Sequence, residues 1–210
     1  MARKIVSKSL LIAFLLASPA VCWADNSQAV VSDIQGSSMI IRNGQEIPAS
    51  VGMACEKGDV LKTASNSRLD LSLNNLAGCR VLASSECQIA DAKASDMSLK
   101  VTDGNVILNL KKLPEGSSFK VETPTAVAAV RGTQFWGRVD LQKIDNPVTT
   151  VAVREGSVEI FAKSAGKSFT ITPGQALDIP KDSKVTPSVR PALPAEMQAM
   201  EQAKDIQNSI

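Results

Sequence analysis

The side chains that could do chemistry in this 210-residue chain are few, because the sequence contains no histidine and no tyrosine. Without histidine there is no Ser-His or Cys-His nucleophile pair and no His-ligated metal centre. Without tyrosine the usual phenolic acid or base is missing as well. Carboxylates and lysines remain, so the enzyme class left open is a glycan hydrolase with two carboxylates ~5–9 Å apart. We predict no catalytic residue, no metal site and no cofactor.

The segment with the most distinctive local chemistry runs from residue 123 to 135, with the sequence TPTAVAAVRGTQF. Gly132 permits a sharp bend or the close approach of a neighbouring strand. Arg131 carries a planar set of donors, which suits either a carboxylate, with Glu155 and Asp140 as candidates, or an anionic ligand. The sequence favours the structural role for Arg131 and leaves the ligand-binding role open.

Thr133 and the aromatic residues Phe135 and Trp136 complete this corner. No neighbouring group could take the Thr133 proton, so its hydroxyl is expected to serve a strand or turn and not to act as a nucleophile. Consecutive residues of a strand point to opposite faces, so one of the two rings lies inside and the other outside. With Phe135 in the core, we expect Trp136 either to cover a neighbouring loop or to stand exposed as an interface anchor.

The elements that must position these residues are short strands. Between residues 29 and 180 apolar and polar residues alternate, as at Leu69, Leu71 and Leu73, which puts one face of a strand in a core and the other in water. Turn sequences rich in glycine, proline and aspartate separate the runs. The pattern predicts an all-β domain over residues 25–180, a sandwich or barrel-like roll of many short strands with no helix longer than two turns.

The first 24 residues are predicted to be a signal peptide, with Arg3, Lys4 and Lys8 as a basic start and an apolar run, LLIAFLLA, too short for the ~20 residues that span a bilayer. Without those three cations, the 23 basic residues fall to 20, against 21 acidic residues. The remaining chain therefore lacks the excess of positive charge that is typical of nucleic-acid-binding proteins. We expect a periplasmic or secreted protein with no integral membrane segment after cleavage at Ala24. Cys22 leaves lipid anchoring open as the alternative.

Three cysteines remain after cleavage: Cys55, Cys79 and Cys87. Export leads to an oxidising compartment, where thiols pair. A hairpin or adjacent strands formed by GCRVLASSEC could bring the α-carbons of Cys79 and Cys87 within the ~5–6 Å that a bridge needs. We predict a Cys79–Cys87 disulfide and a free, buried Cys55.

After Pro180 the composition changes. Residues 181–194 contain three prolines among serine, threonine and lysine, which predicts an extended Pro-rich linker. Residues 195–210 contain helix formers with a narrow apolar stripe that includes Met197 and Met200. Because so short a helix is marginal in water, it must either dock or fray, and we expect it to fray in the isolated chain.

Four ordered motifs resemble the FecR domain family. In that family a threonine-proline turn leads into a short apolar strand, then Arg-Gly-Thr and an aromatic residue. The corresponding residues here are Thr123, Pro124, Ala126, Val127, Val130, Arg131, Gly132, Thr133 and Phe135. The flanking matches are GDVLKT before this segment and VREGSV and PGQA after it, and together they cover roughly residues 29–179. The chain looks like a stand-alone secreted form, because the cytoplasmic anti-sigma segment and membrane helix of the family's anchored regulators are not recognised in it.

The resemblance implies an exported, non-catalytic binding or scaffold module that engages an envelope protein or polysaccharide. The alternative from the signalling class is a periplasmic sensory subunit that acts on a separate sigma-factor regulator, with the helical tail as its contact. The carboxylate-dependent glycan hydrolase is the third possibility, and a nucleic-acid partner is not expected.

Overall fold

The computed structural model describes residues 29–93, 95–141, 148–182, 184–203 and 205–206. The predicted signal peptide, residues 1–24, lies outside this part of the chain. About 60% of the described residues lie in strands. The elements are β1 (Ala29–Gln35), β2 (Ser38–Arg42), β3 (Gln45–Pro48), β4 (Ala54–Cys55), β5 (Val60–Thr63), β6 (Arg68–Leu73), β7 (Ala77–Val81), β8 (Glu86–Lys93), β9 (Asp96–Leu110), β10 (Ser118–Glu122), β11 (Ala126–Val130), β12 (Gln134–Asp140), β13 (Val148–Glu155), β14 (Val158–Ala162), β15 (Lys167–Ile171), β16 (Gln175–Pro180), β17 (Ser188–Pro191) and α1 (Pro194–Glu201).

The strands form two sheets that share the longest strand, β9. Sheet A has the order β4-β1-β6-β7-β9-β12-β13-β16-β17. Sheet B has the order β3-β2-β5-β8-β9-β10-β11-β14-β15. Every pairing in both sheets is antiparallel except that of β9 with β10. The predicted all-β class is confirmed, and the described residues before Pro180 contain no α-helix.

Strand β9 passes from sheet B to sheet A at Gly104. Asp103 still pairs with β8 of sheet B, whereas Gly104 pairs with β12 of sheet A. Gly104 has a φ of +81°, and a Cβ there would lie 2.6 Å from the Cα of Ser85. Both the backbone conformation and the close approach therefore require glycine at the point where the two sheets meet.

The core lies between the two sheets. The alternation seen in the sequence decides which residues enter it: Leu69, Leu71 and Leu73 of β6 belong to the same buried cluster as Phe119 and Val121 of sheet B, and all five are at most 4% exposed. The opposite faces of the strands are left for water or for other parts of the chain.

The predicted short C-terminal helix is confirmed as α1, but its surroundings differ from the prediction. The segment expected to be a linker contains β17, which pairs with β16, and α1 packs across the outer face of sheet A. Met200, Ala203 and Ile206 are buried there. The region docks and does not fray, because sheet A offers an apolar outer surface that the sequence analysis did not identify. Among the described residues, no helix has the length and apolar content needed to cross a membrane.

Candidate interaction surfaces

The Arg131-Gly132-Thr133 corner joins β11 to β12 and packs against the turn between β13 and β14. Gly132 has a φ of +66°, so it supplies the bend. A Cβ at Gly156 would lie 2.6 Å from both the Gly132 carbonyl oxygen and Cγ2 of Thr133. Two of the sequence motifs, RGT and EGS, thus meet in space, and the contact between them is close enough to exclude any side chain at Gly156.

The other end of the signature segment is a closed network of threonine hydroxyls. The hydroxyl of Thr123 accepts the backbone N–H of Ala126 at 3.0 Å. Thr125 donates to Thr149 at 2.6 Å, and Thr149 donates to Thr123 at 2.9 Å. All three threonines are buried. These hydroxyls satisfy one another, so the threonine-proline turn is a structural feature and offers no reactive group.

Arg131 does not make the contact predicted for it. Its side chain is exposed and forms no hydrogen bond or ion pair with any residue that the structure describes, Glu155 and Asp140 included. The reason is geometric, because the bend at Gly132 turns Arg131 out of the strand ladder towards water. Thr133, by contrast, is buried, and its hydroxyl has no hydrogen-bond partner among the described residues.

Arg131 instead borders a shallow groove of about 470 Å³ on the outer face of sheet B. The groove is formed by β10, β11, β14 and β15 and the turns beside them. Its lining residues are Ser117, Ser118, Phe119, Lys120, Ala129, Val130, Arg131, Ser157, Glu159 and Thr170. We call it the sheet B groove. It combines several hydroxyls with a guanidinium that has no partner among the described residues.

A second surface lies on the outer face of sheet A, where strand register aligns one residue from each of five neighbouring strands. Ala176 pairs with Ala152, Ala152 with Trp136, Trp136 with Ile107, and Ile107 with Arg80. Phe135 enters the core, as expected, and Trp136 takes the outer face. Trp136 is only 8% exposed because α1 lies over it, which corrects both alternatives given for this ring.

The C-terminal segment lies on this row, and we call its described residues, 188–203 and 205–206, the tail. We call its seat the tail groove, which has a floor of Ile107, Trp136, Ala152 and Ala176 and a polar edge of Arg80, Gln134 and Arg154. The amide of Gln134 donates to the carbonyl of Met200 at 3.0 Å, and Arg80 donates to the carbonyl of Gln202 at 3.0 Å. Arg154 forms an ion pair with Glu201. The sequence reasoning missed all three edge residues.

Arg80 also holds a buried ion pair. Its guanidinium binds Asp70 in a two-pronged arrangement at 2.8 and 2.6 Å, and it reaches Asp205 of the tail at 3.2 Å. Burial is the largest single influence on the pKa of Arg80 and lowers it, but Asp70 and Asp205 together outweigh burial and the pKa is raised. Burial is also the largest single influence on the pKa of Asp205 and raises it, but Arg80, a backbone hydrogen bond and Arg68 together outweigh burial and the pKa is lowered. The charged forms of the tail contact are therefore favoured.

Arg190 fixes the start of the tail. Its guanidinium contacts Glu196 at 2.6 Å and Asp178 at 2.7 Å, and these two carboxylates raise its pKa, Glu196 more than Asp178. Glu196 also accepts the backbone N–H of Leu193 at 2.7 Å, which caps the first turn of α1. Strand β17 and helix α1 are thereby held in one arrangement.

The cysteines differ from the prediction. Cys55, Cys79 and Cys87 are buried free thiols, and no pair lies at disulfide distance. Cys79 is on β7 of sheet A and Cys87 on β8 of sheet B, so they face each other across the core and do not share a hairpin. A hydrogen bond with Cys87, together with burial, raises the pKa of the Cys79 thiol. The predicted bridge is therefore absent from the structure.

Within the described part of the chain, no three carboxylates and thiols are grouped so that they could hold a metal ion. Glu159 is the one carboxylate among the residues that line the sheet B groove. What the two surfaces offer is hydrogen-bond donors and apolar area, which are the requirements of binding.

Comparison with known proteins supports the resemblance drawn from the motifs. Residues 59–159 match the family model described as FecR protein, a span that contains the Arg131 corner, Trp136 and Gly156. No curated protein matches the chain in sequence.

Two crystal structures of a candidate anti-sigma factor from Parabacteroides distasonis ATCC 8503, at 2.50 and 1.65 Å resolution, share the fold with a TM-score of 0.57 and 15% identity. Each match covers 68% of this chain and 64% of the other, so the chain spans less than two thirds of the length of those structures. At this identity the likeness establishes the fold alone.

Proposed function

We propose that this chain, which carries a FecR domain, is an exported, non-catalytic binding module that engages an envelope partner through the sheet B groove. The observation that carries the proposal is the exposed guanidinium of Arg131, which has no partner among the described residues. An arginine at a structural corner would be expected to satisfy its donors within the fold. Arg131 keeps them available at the edge of a groove.

The lining of the sheet B groove favours a polysaccharide with acidic groups as the ligand. Ser157 and Thr170 supply hydroxyls that can donate to and accept from sugar hydroxyls, and Ser118, whose hydroxyl donates to Asp96, can still accept. The planar donors of Arg131 match a carboxylate or phosphate group. A hydrolase would need a second carboxylate facing Glu159, and the groove lining contains none. Export is inferred from the sequence of residues 1–24.

The test is to compare wild-type protein with Arg131→Ala and Arg131→Lys. Binding is measured by co-sedimentation with purified peptidoglycan sacculi, by titration with alginate as a soluble acidic polysaccharide, and by affinity capture from envelope extract. Loss of a charge-assisted hydrogen bond should weaken binding about 10- to 100-fold in Arg131→Ala. Arg131→Lys should recover only part of the affinity, because an ammonium lacks the planar fork.

Lys62→Ala is the matched control, since it removes one exposed cation from β5 in the other half of the same sheet. Thermal melts should be nearly unchanged for all variants, because substitutions of exposed side chains alter stability by about 0.5 kcal/mol or less. Equal binding by wild type and Arg131→Ala would refute the role of the sheet B groove. A large drop in melting temperature for Arg131→Ala would show that Arg131 has a structural role, as the sequence favoured.

The second candidate function is a sensory subunit that acts on a separate sigma-factor regulator. The fold shared with a candidate anti-sigma factor favours it. The contact first expected for this function was the tail, but the apolar side of the tail is buried on sheet A. Capture of a regulator protein from envelope extract, equally by wild type and Arg131→Ala, would support this function over polysaccharide binding.

A further inference from the structure

We propose that the tail groove is a docking site for an amphipathic helix of a partner protein, and that the tail occupies it in the free protein as an intramolecular competitor. The partner helix presents small or unbranched apolar side chains along one face, carries acidic residues beside them and directs its C-terminal turn towards Arg80. This inference does not rest on the proposed function, because the tail groove and the sheet B groove lie on different sheets.

The polar edge of the tail groove recognises the end of a helix and not a particular side chain. Gln134 and Arg80 donate to the carbonyls of Met200 and Gln202 at the C-terminal end of α1. The last carbonyls of a helix lack intrahelical partners and carry a partial negative charge. α1 has no basic residue in its last turn, so the groove supplies the cation. The same donors would satisfy the last carbonyls of any helix that ends at this point.

The floor of the groove has the shape that a helix needs. Ala152 and Ala176 are fully buried and small, which lets a helix backbone approach the sheet, while Trp136 and Ile107 provide the larger apolar contacts. A tryptophan and arginines around an apolar patch are the residue types that dominate the energy of interfaces. Without an occupant, this row would be a contiguous apolar patch on the surface, which soluble domains seldom leave bare.

Charge defines the class of helix that fits. The guanidinium groups of Arg80 and Arg154 meet Asp205 and Glu201 of the tail. A partner helix with carboxylates at these positions would keep both ion pairs, whereas a basic helix would be repelled. The groove therefore selects an acidic amphipathic helix.

The contacts that hold the tail allow a partner helix to replace it. α1 has only eight residues, fewer than an isolated helix needs to be stable. Glu201 and Asp205 are 53% and 60% exposed in their ion pairs, so solvent weakens those pairs and they do not by themselves lock the tail in place. The buried cluster beneath the tail is separate from the core between the sheets. The tail can therefore open as a local unit while the two sheets stay folded.

The experiment uses the full chain and a fluorescein-labelled synthetic peptide with the sequence of residues 190–206. Met200→Asp in the chain removes the main apolar contact of the tail and leaves the groove intact. Fluorescence anisotropy should show that Met200→Asp binds the peptide at least about tenfold more tightly than wild type does. A peptide with Met200→Asp, or one with lysine in place of its three acidic residues, should bind neither protein.

Variants of the groove check that the peptide binds where we propose. In the Met200→Asp background, Arg154→Ala should weaken peptide binding. Arg138→Ala should not, because Arg138 lies on the same strand as Trp136 and pairs with Asp140 outside the groove. Equal affinity of wild type and Met200→Asp, or no binding by a folded Met200→Asp, would overturn the proposal.

A measurement on the wild type covers the case in which Met200→Asp does not fold. Hydrogen exchange of the backbone amides of Met197, Gln202 and Ala203 should be much faster than exchange of the β12–β13 ladder, because the tail opens locally. Exchange of both at one common rate would show that the tail opens only with the whole fold, and the proposal would be wrong. A wild-type dimer that exchanges tails in sedimentation experiments would make a second copy the occupant, which also contradicts it.

Discussion

The contact between Gly156 and the Arg131 corner can be tested by adding a single methyl group. In Gly156→Ala the new Cβ would lie 2.6 Å from the Gly132 carbonyl oxygen and from Cγ2 of Thr133, and the residue would keep a φ of +78°. A non-glycine residue in this conformation costs about 1–2 kcal/mol, partly offset by the reduced freedom of the unfolded chain. Relieving the clash adds about 1–3 kcal/mol of overpacking.

Gly174→Ala separates these two contributions. Gly174 has a φ of +79°, but a Cβ there would have no atom within 4 Å. Gly174→Ala therefore introduces the same backbone strain without the clash and should be destabilised by roughly 1 kcal/mol. Gly156→Ala should be destabilised by about 2–4 kcal/mol in total, so the difference of about 1–3 kcal/mol measures the close approach of the two motifs.

Urea denaturation of wild type and both variants provides the comparison, since a change in midpoint at constant slope reports stability. Thermal melts should agree, with about 2–4 °C lost for each kcal/mol in a chain of this size. If Gly156→Ala and Gly174→Ala had the same midpoint, the RGT and EGS motifs would not be in the contact described here. The packing explanation for Gly156 would then be refuted.

The further predictions concern buried groups. Asp70→Asn leaves Arg80 buried with a weakened partner, so it should lower the free energy of unfolding in urea by about 3–5 kcal/mol. Asp33 is the control, because it lies directly opposite Asp70 in the strand ladder but is 46% exposed. Asp33→Asn should lower the free energy of unfolding by less than about 1 kcal/mol. Burial raises the pKa of the Cys55 thiol to about 12 from 9.0, so Cys55 should resist alkylation of the native protein at about pH 8 and react after unfolding. Because the folded state holds this proton more tightly, the contribution of Cys55 to stability should be constant below about pH 9 and fall as the pH rises towards 12. Non-reducing peptide mapping should find three free thiols, and a linked Cys79–Cys87 peptide would restore the bridge predicted from the sequence.

Local chemistry made several features readable from the sequence. The alternation at Leu69, Leu71 and Leu73 assigned a buried face because successive side chains of a strand point to opposite sides. The need for a bend or close approach at Gly132 followed from the absence of a Cβ. Phe135 and Trp136 were placed on opposite faces by the same period of two. Each of these inferences needs only neighbouring residues, and the structure bears each of them out.

The tertiary structure decided the features that depend on which strands are neighbours. Alternation says which residues share a face of one strand, but it does not say which strand lies beside it or in what register. Ile107, Trp136, Ala152 and Ala176 are far apart in the sequence, and only the order β9-β12-β13-β16 brings them into one row that α1 can cover. The same non-local order put Cys79 and Cys87 on opposite sheets. The sequence by itself determined the faces of the strands, and the pairing of distant strands determined what those faces meet.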